Sequence, residues 1–500
     1  MSTLGNKIKQ VFPEIAIMKN VERESIFTGR NLPSFVKDFL VRKHTNTEGE
    51  LNKPAITEFL NKHILDKDNP PVNRLMNNET ITLLTRFIIQ SDIQGGKVCF
   101  AIPDAGIKLT DAIISEKMLT KYKNELIDGE TWGVITLVYN RPFGKKKGYI
   151  EMIDFKPFRP YTVALDYFKT CRKQFTTGEW IDVLISAMEY SPEGFVDTEQ
   201  KLEFLTRLLI FVEPNLNMIE LAPKETGKSY VFGNLSKFGW LVSGGKISRA
   251  KLFYDKTRKI PGLFSNYDFL AFDEIQTISM TDEDELLGIF KNYLMDGKAH
   301  VDNYEFMASS GLMLMGNIRL TNEMLPESAL YVSELPNAFR DSAFLDRFHG
   351  FIEGWKLPKL RKDMFLKGWT LNIEYFSEIL HSLRTSSDYS SIYDKIVYVD
   401  PKSGARDSRA VKKLTTAYLK LLYPHITKVE DLDNEEFQKF CLEPALRHRG
   451  IIREQLHIID PGEFKIEMPE ISLKTISQDE NKSNDTIPLK VEFADTTIMT

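Results

Sequence analysis

The residues best suited to chemistry lie in one stretch, residues 221–229, which reads LAPKETGKS. A mostly apolar run with strand character, residues 218–221, leads into it, and residues 229–232 can begin a helix. A tight loop between a strand and a helix is typical of phosphate binding, because backbone N–H groups and the helix N-terminus then point at the β- and γ-phosphates. The stretch therefore predicts a nucleotide-binding loop.

In such a loop a lysine reaches the phosphates and a hydroxyl holds Mg²⁺. Lys228 and Ser229 fit these roles, and the predicted cofactors are ATP and Mg²⁺. Ala222 replaces an expected glycine, which costs about 1–2 kcal/mol if the backbone must be left-handed and nothing if only a small side chain is needed. Glu225 adds negative charge near the phosphates. The candidate nucleotide contacts are Ala222, Pro223, Lys224, Glu225, Thr226, Gly227, Lys228 and Ser229.

Two later apolar runs end in polar residues that suit the same site. The first ends at Asp273 and Glu274, and the second, GLMLMG, ends at Asn317. We expect Asp273 to bind Mg²⁺ with Ser229 or through its water shell, and Glu274 to polarise the attacking water. Asn317 could hydrogen-bond the γ-phosphate or orient the water, and a helix cap is the alternative.

Arginines follow these strands at positions 340 and 347. An arginine from a neighbouring subunit can stabilise the charge of a phosphoryl-transfer transition state, and we favour Arg347 over Arg340 for this role. Salt bridges within the subunit are the alternative for both. Arg406 and Arg409, near the start of a later helix, could reach the nucleotide as a second sensor, although solvation at the surface explains them equally well.

Other basic residues are candidate DNA contacts. Lys298 belongs to MDGKAHVDNYEF, which predicts a hairpin tipped by Asp296, Gly297 and Lys298. The densest positive cluster follows Arg141 in a predicted turn, where phosphate contact and simple solvation are equally good explanations; it comprises Lys145, Lys146 and Lys147. A later group is expected to form a solvated basic face without a firm role: Arg447, Arg449 and Arg453.

The order of a phosphate loop, an insertion, an Asp-Glu strand, a hairpin, an Asn strand and an arginine resembles the AAA+ ATPases, most closely the clade of the MCM replicative helicases. The likeness extends to the BrxL family, the Lon-protease-like proteins of bacterial BREX phage-defence systems. It covers nearly all of residues 5–460 and rests on the number and order of these segments: NKIKQVFP, KQFTTGEWIDVLI, LAPKETGKSYVF, LVSGG, LFYD, FLAFDE, MDGK, GNI, FRDSAFLDR, GWKLPK and LLYPH.

The resemblance implies an ATP-driven homo-oligomeric ring, hexameric and in some arrangements stacked in pairs, that encircles double-stranded DNA and moves along it or remodels it. Other BREX proteins would be its partners, and Lys298 would face the pore. Ala222 and Glu225 depart from the family's glycines and motivate an alternative, a nucleotide-gated DNA-binding scaffold with little or no hydrolysis that recruits other BREX proteins. No Ser–Lys protease signature is evident, so we expect no peptide hydrolysis.

The expected fold is α/β: an AAA+ phosphate-loop ATPase core with a helical lid, preceded by a helical region and a small β-barrel, for which the OB type is a candidate. We expect helices over residues 79–90 as well as in two earlier segments. The predicted divisions are a helical region at 1–92, a β-rich domain at 93–170, a linker helix at 171–200, the core at 201–360, the lid at 361–460 and a partly disordered tail at 461–500.

Composition sets the remaining limits. The chain has 500 residues, a net charge of −5 and a pI near 6.0, so contacts with nucleic acid must come from local patches. Its three cysteines are far apart and lack histidines at ligand spacing, which argues against disulfides and zinc. Because no secretory leader and no apolar run of about 18 residues is evident, we expect a cytoplasmic protein that does not enter membranes.

Overall fold

The computed structural model describes most of the chain. Among the residues that it describes, no helix is both long and apolar enough to cross a membrane. Lys145, Lys146 and all residues after 474 lie outside the described part. The described residues are 3–19, 25–28, 32–46, 51–65, 70–92, 96–122, 126, 129–142, 147–158, 163–256, 260–301 and 304–474.

Helices form most of the N-terminal region, and two of the three predicted there are confirmed. They are α2 and α3, and the side chain of Asn52 caps α3 by accepting the N–H of Ala55 at 3.0 Å. Apolar residues at three- and four-residue spacing give both helices a buried face. The elements of this region are α1 (Thr3–Val11), β1 (Ala16–Lys19), α2 (Ser34–Lys43), α3 (Lys53–His63) and α4 (Pro71–Met76).

The helix predicted over residues 79–90 is wrong, because Ile81–Asp92 forms a strand, β2. Alternate side chains such as Ile81 and Phe87 pack inside a barrel, whereas Leu84 packs in the cluster that includes the N-terminal helices. Because both faces of this strand are partly buried, its apolar residues recur at a spacing that resembles that of a helix. The many β-branched residues of the segment favour the strand instead.

Five strands close into a small barrel, which confirms the predicted β-barrel but starts it at Ile81 rather than after residue 92. The strand order around the barrel is β2-β3-β4-β6-β5, and β4 and β6 run parallel. Its inner side chains form a separate apolar core. The remaining barrel elements are β3 (Lys97–Ala101), β4 (Ala112–Ile114), α5 (Glu116–Lys121), β5 (Gly129–Asn140) and β6 (Tyr149–Pro157).

A parallel five-stranded sheet forms the centre of the next region, in the order β15-β7-β14-β11-β8. The helices before it are α6 (Leu165–Arg172), α7 (Thr177–Ala187), α8 (Thr198–Leu205) and α9 (Leu209–Val212). Its strands are β7 (Asn217–Leu221), β8 (Gly239–Ile247), β11 (Phe269–Met280), β14 (Gly311–Gly316) and β15 (Gly350–Glu353). Between the strands lie α10 (Lys228–Asn234), α11 (Arg249–Leu252), β9 (Tyr254–Asp255), β10 (Ile260–Pro261), α12 (Leu263–Asn266), α13 (Glu283–Asp296) and α14 (Ser342–Leu345).

The predicted hairpin exists, but its predicted tip is wrong. Asp296 ends α13, Gly297 takes a left-handed backbone with φ of 79°, and Lys298 begins the first strand. The hairpin pairs β12 (Lys298–Val301) with β13 (Tyr304–Met307). A glycine just after a helix is a common way to end it, and here that role takes precedence over a hairpin turn. Lys298 is therefore exposed at the base of the hairpin.

Helices dominate the C-terminal part, as predicted from their apolar spacing. Strand β16 pairs with β1 and so joins this part to the N-terminal region. A π-helical turn, Gln438–Leu442, connects the last two helices. The elements are β16 (Gly368–Leu371), α15 (Ile373–Arg384), α16 (Asp388–Ile396), β17 (Val397–Val399), α17 (Ala405–Leu422), α18 (Asn434–Phe437), α19 (Glu443–Ile459) and β18 (Ile471–Leu473).

Candidate functional site

The predicted phosphate loop, residues 222–229, follows β7 at the carboxyl edge of the parallel sheet; it is called the phosphate loop below. Every residue of β7 is buried, because the strand lies between β14 and β15. Helix α10 begins at Lys228, directly after Gly227 with φ of 77°. A side chain at Gly227 would also meet Leu360 and the hydroxyl of Tyr190, so both backbone and space require glycine there.

Lys228 is the buried cation of this loop. Its Nζ donates to Oδ1 of Asn317 at 3.1 Å and to the carbonyl oxygens of Ala222 and Pro223 at 3.4 Å. Burial lowers the pKa of Lys228, and the negative charges of Glu220 and Asp273 oppose that shift. Among the described residues no carboxylate forms an ion pair with this ammonium. It is therefore placed to bind an external anion such as a phosphate.

Among the non-glycine residues of the loop, the left-handed backbone is at Glu225 rather than at Ala222. Glu225 has φ of 70°, whereas Ala222 is not among the non-glycine residues with positive φ. Ala222 is fully buried, and its Cβ lies 2.3 Å from where a side chain at Gly354 would begin, so close packing favours a small residue there. Alanine is harmless at position 222, and the strain falls on Glu225, where it costs about 1–2 kcal/mol.

Asp273, Glu274 and Asn317 lie at the same sheet edge as the loop. Asp273 is buried, and its Oδ1 accepts the backbone N–H of Glu274 at 2.9 Å. That bond supports a left-handed backbone at Glu274, where φ is 49°, and the Glu274 side chain is exposed. The structure thus brings together an ammonium, two carboxylates and an amide, the groups that phosphoryl transfer requires.

The Mg²⁺ ion predicted at this site would have few protein ligands. Among the described residues, no three His, Cys, Asp or Glu side chains come together as a metal site. Ser229 lies exposed in the first turn of α10, and Asp273 is the last of five consecutive buried residues in its strand. Mg²⁺ commonly takes one or two protein ligands and completes its shell with phosphate oxygens and water, so these two residues fit it.

Gln276 is a site residue that the sequence analysis missed. Its Nε2 donates to the carbonyl oxygen of Asn317 at 2.8 Å, and its Oε1 accepts the Asn317 N–H at 3.3 Å. This reciprocal pair fixes the backbone of Asn317 against the strand that carries Asp273. Gln276 lies within β11, and a single glutamine in a strand does not mark a site, so the sequence offered no signal for this contact.

Arg207 and Glu220 form a second missed feature, an ion pair buried beneath the loop. Both side chains are fully buried, with Nη2 to Oε1 at 2.5 Å and Nε to Oε2 at 3.0 Å. Nη1 of Arg207 donates to the carbonyl oxygen of Thr226 in the loop at 2.9 Å. A glutamate inside the buried strand NMIEL was the available signal, because an unpaired buried charge is unstable.

Three arginines lie together at the opposite, amino edge of the sheet. Arg347 donates to the carbonyl oxygens of Lys291, at 2.5 Å, and of Ala343. Arg409 donates to the carbonyl oxygen of Met295 at 2.8 Å, and Arg406 pairs with Asp346. With His349 they line an open cleft, and burial lowers the pKa of Arg347.

This cleft is far from the chain's own phosphate loop. The N–H of His349 donates to the carbonyl oxygen of Asn217 at 2.8 Å, which places the arginines beside the first residue of β7. The loop begins after the last residue of β7. A five-residue strand separates its ends by roughly 13 Å, so Arg347, Arg406 and Arg409 lie well away from the loop of the same chain.

Two protein-family models match this chain, one over its N-terminal part and one over most of the rest. Residues 150–470 match the family model described as Lon-like protease BrxL-like, ATPase domain. Residues 10–139 match the model described as BREX system Lon protease-like protein BrxL N-terminal. The chain belongs to the BrxL family. The phosphate loop and the three arginines all fall within the match to the BrxL ATPase domain.

Two BrxL relatives, both called Lon-like protease BrxL, are similar over much of the chain. The protein of Escherichia coli O9:H4 (strain HS) is 31% identical over 363 residues, which cover 73% of this chain and 51% of the relative. The protein of Bacillus cereus (strain H3081.97) is 29% identical over 473 residues, covering 93% of this chain and 68% of the relative. The chain therefore spans about half the length of the first relative.

The remaining predicted residues of this BrxL-family chain lie apart from the phosphate loop. Arg340 donates to the carbonyl oxygen of Leu335 at 2.6 Å and is exposed. Lys298 is exposed at the hairpin base, and Lys147 is exposed beside the barrel. Of Arg340 and Arg347, Arg347 is the one that lines the arginine cleft.

The predicted solvated basic face on α19 is wrong. Arg449 is 1% exposed and pairs with Asp346 and Asp407 at 2.6 and 2.7 Å. Arg453 also pairs with Asp407, and Arg447 pairs with two glutamates of α8, Glu199 and Glu203. Arginines on a helix usually indicate a solvated face, but here carboxylates from distant segments compensate them within the fold.

Proposed function

We propose that this BrxL-family chain is the ATP-hydrolysing subunit of a homo-oligomeric ring of the AAA+ type. The observation that carries the proposal is the separation of Lys228 from the arginine cleft, at opposite edges of one parallel sheet. Each edge is half of a phosphoryl-transfer site. A second copy that places its cleft against this loop would complete the site, and the same contact repeated by rotation closes a ring.

Each residue at the carboxyl edge has a role in this proposal. Lys228 binds the β- and γ-phosphate oxygens of ATP, and Ser229 and Asp273 hold Mg²⁺, which supplies charge neutralisation. Exposed Glu274 accepts a proton from the attacking water, and Asn317 orients that water or the γ-phosphate. Because Lys228 already contacts Asn317, these two groups are preorganised before ATP binds.

From the neighbouring subunit, Arg347 approaches the γ-phosphate, and Arg406 and Arg409 contact phosphate oxygens as second sensors. Such an arginine is usually worth several kcal/mol in the transition state. In the isolated chain these guanidinium groups are held by carbonyl oxygens and by Asp346, so they are ordered and close together. Six copies per ring, with rings stacked in pairs, follow from the resemblance to the MCM clade and are part of the proposal.

The proposed substrate surface is double-stranded DNA, acted on with other BREX proteins in phage defence. The closed barrel supports this, since its strand order and its α5 helix between β4 and β5 agree with an OB-type barrel, a fold that often binds nucleic acid. Lys298, at the hairpin base, and the loop with Lys145, Lys146 and Lys147 would contact phosphates.

Lys298→Ala tests the DNA contact. We expect weaker binding to duplex DNA and a slope of log K against log salt that is smaller by about one, because one phosphate contact is lost. Lys412→Ala, which removes a half-buried lysine paired with Asp394, is the control and should change neither. An unchanged slope for Lys298→Ala would exclude its role.

The alternative function is a nucleotide-gated scaffold that binds DNA and recruits other BREX proteins with little hydrolysis. Glu225 favours it, since a strained carboxylate in the phosphate loop opposes a tightly bound triphosphate. Multiple-turnover hydrolysis that disappears in Glu274→Gln would exclude the scaffold. Tight ATP binding without turnover would support it.

The deciding experiment is steady-state ATP hydrolysis with and without duplex DNA. Lys228→Ala and Arg347→Ala should each abolish turnover, and a mixture of the two should recover part of it, because some interfaces then pair an intact loop with an intact cleft. Arg340→Ala is the matched control and should retain activity. Absence of recovery in the mixture would refute a site shared between subunits.

A further inference from the structure

The buried guanidinium of Arg449 grips the main chain on both sides of Arg347. Its Nη1 donates to the carbonyl oxygen of Asp346 at 3.1 Å and to that of Phe348 at 2.6 Å. These are the residues immediately before and after Arg347. No other side chain among the described residues is recorded bonding to both carbonyl oxygens.

The same guanidinium also holds the helix that carries the other two cleft arginines. Its Nη2 donates to Oδ1 of Asp346 at 2.6 Å, and its Nε donates to Oδ1 of Asp407 at 2.7 Å. Asp407 lies on α17 between Arg406 and Arg409. Arg406 completes the connection, because it donates to Asp346 as well.

We propose that Arg449 is the positioning residue of the arginine cleft, the group that holds Arg347, Arg406 and Arg409 in one constellation for a neighbouring subunit's phosphates. The inference rests on the proposed shared site. Arg449 is 1% exposed on α19 and contacts no phosphate itself. Its planar fork of donors in a fixed geometry can serve two carboxylates and two carbonyl oxygens together, which a lysine cannot.

The network allows a variant that keeps the fold. In Arg449→Met, Asp346 retains its pair with Arg406, and Asp407 retains its pair with Arg453, so neither buried carboxylate is left alone. Arg453→Met is the matched control. It removes an arginine one turn along α19 that also pairs with Asp407 but does not bond to residues 346–348.

The first test is amide hydrogen exchange, which does not require hydrolysis. The N–H groups of Phe348 and His349 bond to Leu345 and Asn217 at 3.0 and 2.8 Å. In Arg449→Met we expect both to exchange about tenfold faster or more, since bonds to a charged group are lost nearby. The Val231 amide at the phosphate loop should be unchanged, and so should all three in Arg453→Met. Unchanged exchange at Phe348 and His349 in Arg449→Met would overturn the proposal.

The second test is complementation of ATP hydrolysis. Arg449→Met should lose most turnover alone, regain part of it when mixed with Lys228→Ala, and regain none when mixed with Arg347→Ala. A merely structural defect would damage the variant's own phosphate loop and prevent recovery with Lys228→Ala, which would overturn the proposal. If wild-type protein does not hydrolyse ATP, the proposed function fails, and the exchange measurement still decides whether Arg449 orders the cleft.

Discussion

Replacing Arg207 with methionine should separate the stability of the core from the shape of its phosphate loop. Arg207 and Glu220 are both fully buried and make two hydrogen bonds to each other. The third bond of the guanidinium goes to the Thr226 carbonyl oxygen, at 2.9 Å, within the loop. Methionine keeps much of the side-chain volume but leaves the carboxylate and the loop carbonyl without this partner.

The expected loss of stability follows from the uncompensated charge. Removing one partner of a buried ion pair costs about 3–5 kcal/mol, and a domain is stable by only about 5–15 kcal/mol. Arg207→Met should therefore remove about a fifth or more of the free energy of unfolding. The double variant Arg207→Met, Glu220→Met removes both charges of this pair, and apolar replacements of this kind are often neutral or stabilising. Its stability should return close to that of the wild type.

Nucleotide binding should behave differently, because the Thr226 carbonyl oxygen lacks its partner in both variants. We expect the double variant to unfold in urea like the wild type and still bind ATP several-fold more weakly in calorimetry. A loss below about 1 kcal/mol for Arg207→Met would contradict the cost assigned to the buried charge. Full recovery of ATP affinity in the double variant would show that Arg207 does not shape the loop.

Three further outcomes are expected. Glu225→Gly and Glu225→Gln should both tighten ATP binding, because each removes a negative charge near the phosphates. Only Glu225→Gly should also raise stability, because it relieves a left-handed strain of about 1–2 kcal/mol. Calorimetry that shows no change in ATP affinity for either variant would contradict the role of the charge. Ala222→Gly should lower the free energy of unfolding, measured in urea, by about 0.5–1 kcal/mol and leave ATP affinity unchanged. A large gain in ATP affinity would mean that position 222 needs a left-handed backbone, which the structure does not show. Burial raises the pKa of Glu374 from 4.5 to about 7. Between these two pH values the native state keeps a proton that the unfolded chain has lost. The free energy of unfolding should therefore fall by up to about 3 kcal/mol as pH rises from 4.5 to 7. Glu374→Gln should flatten that dependence in urea unfolding at a series of pH values, and an unchanged slope would contradict the raised pKa.

The carboxyl edge of the sheet could be predicted because its signals are local. A phosphate loop, an apolar strand ending at Asp273 and another ending at Asn317 each occupy a few consecutive residues. Parallel strands bring such ends to one edge without further information. Ala222 was left undecided because the sequence does not reveal which loop residue is left-handed. Only the backbone shows that Glu225 takes that conformation.

The wrong predictions for β2 and α19 arose because each of these elements packs against parts of the chain that are distant in sequence. Leu84 points away from the barrel interior towards the N-terminal helices, so strand β2 imitates helical spacing. On α19, Arg449 meets partners 42 and 103 residues earlier in the chain, at Asp407 and Asp346. Arginines along a helix predict a solvated face unless carboxylates are known to pair with them. No local sequence pattern shows that Asp346 and Asp407 pair with Arg449.

Helix α13 leads from the carboxyl edge of the sheet, where β11 ends, to the arginine cleft at the amino edge. It follows the strand that carries Asp273 and Glu274, and its fourteen residues, Glu283–Asp296, span about 21 Å back across the sheet. Arg347 and Arg409 bond to carbonyl oxygens near its C-terminal end, where cations also interact favourably with the helix dipole. Lys298 begins the hairpin immediately beyond Gly297. One continuous segment, from β11 through α13 to β12, therefore connects the strand of the proposed hydrolytic carboxylates with the cleft offered to a neighbouring subunit and with the base of the proposed DNA-contacting hairpin.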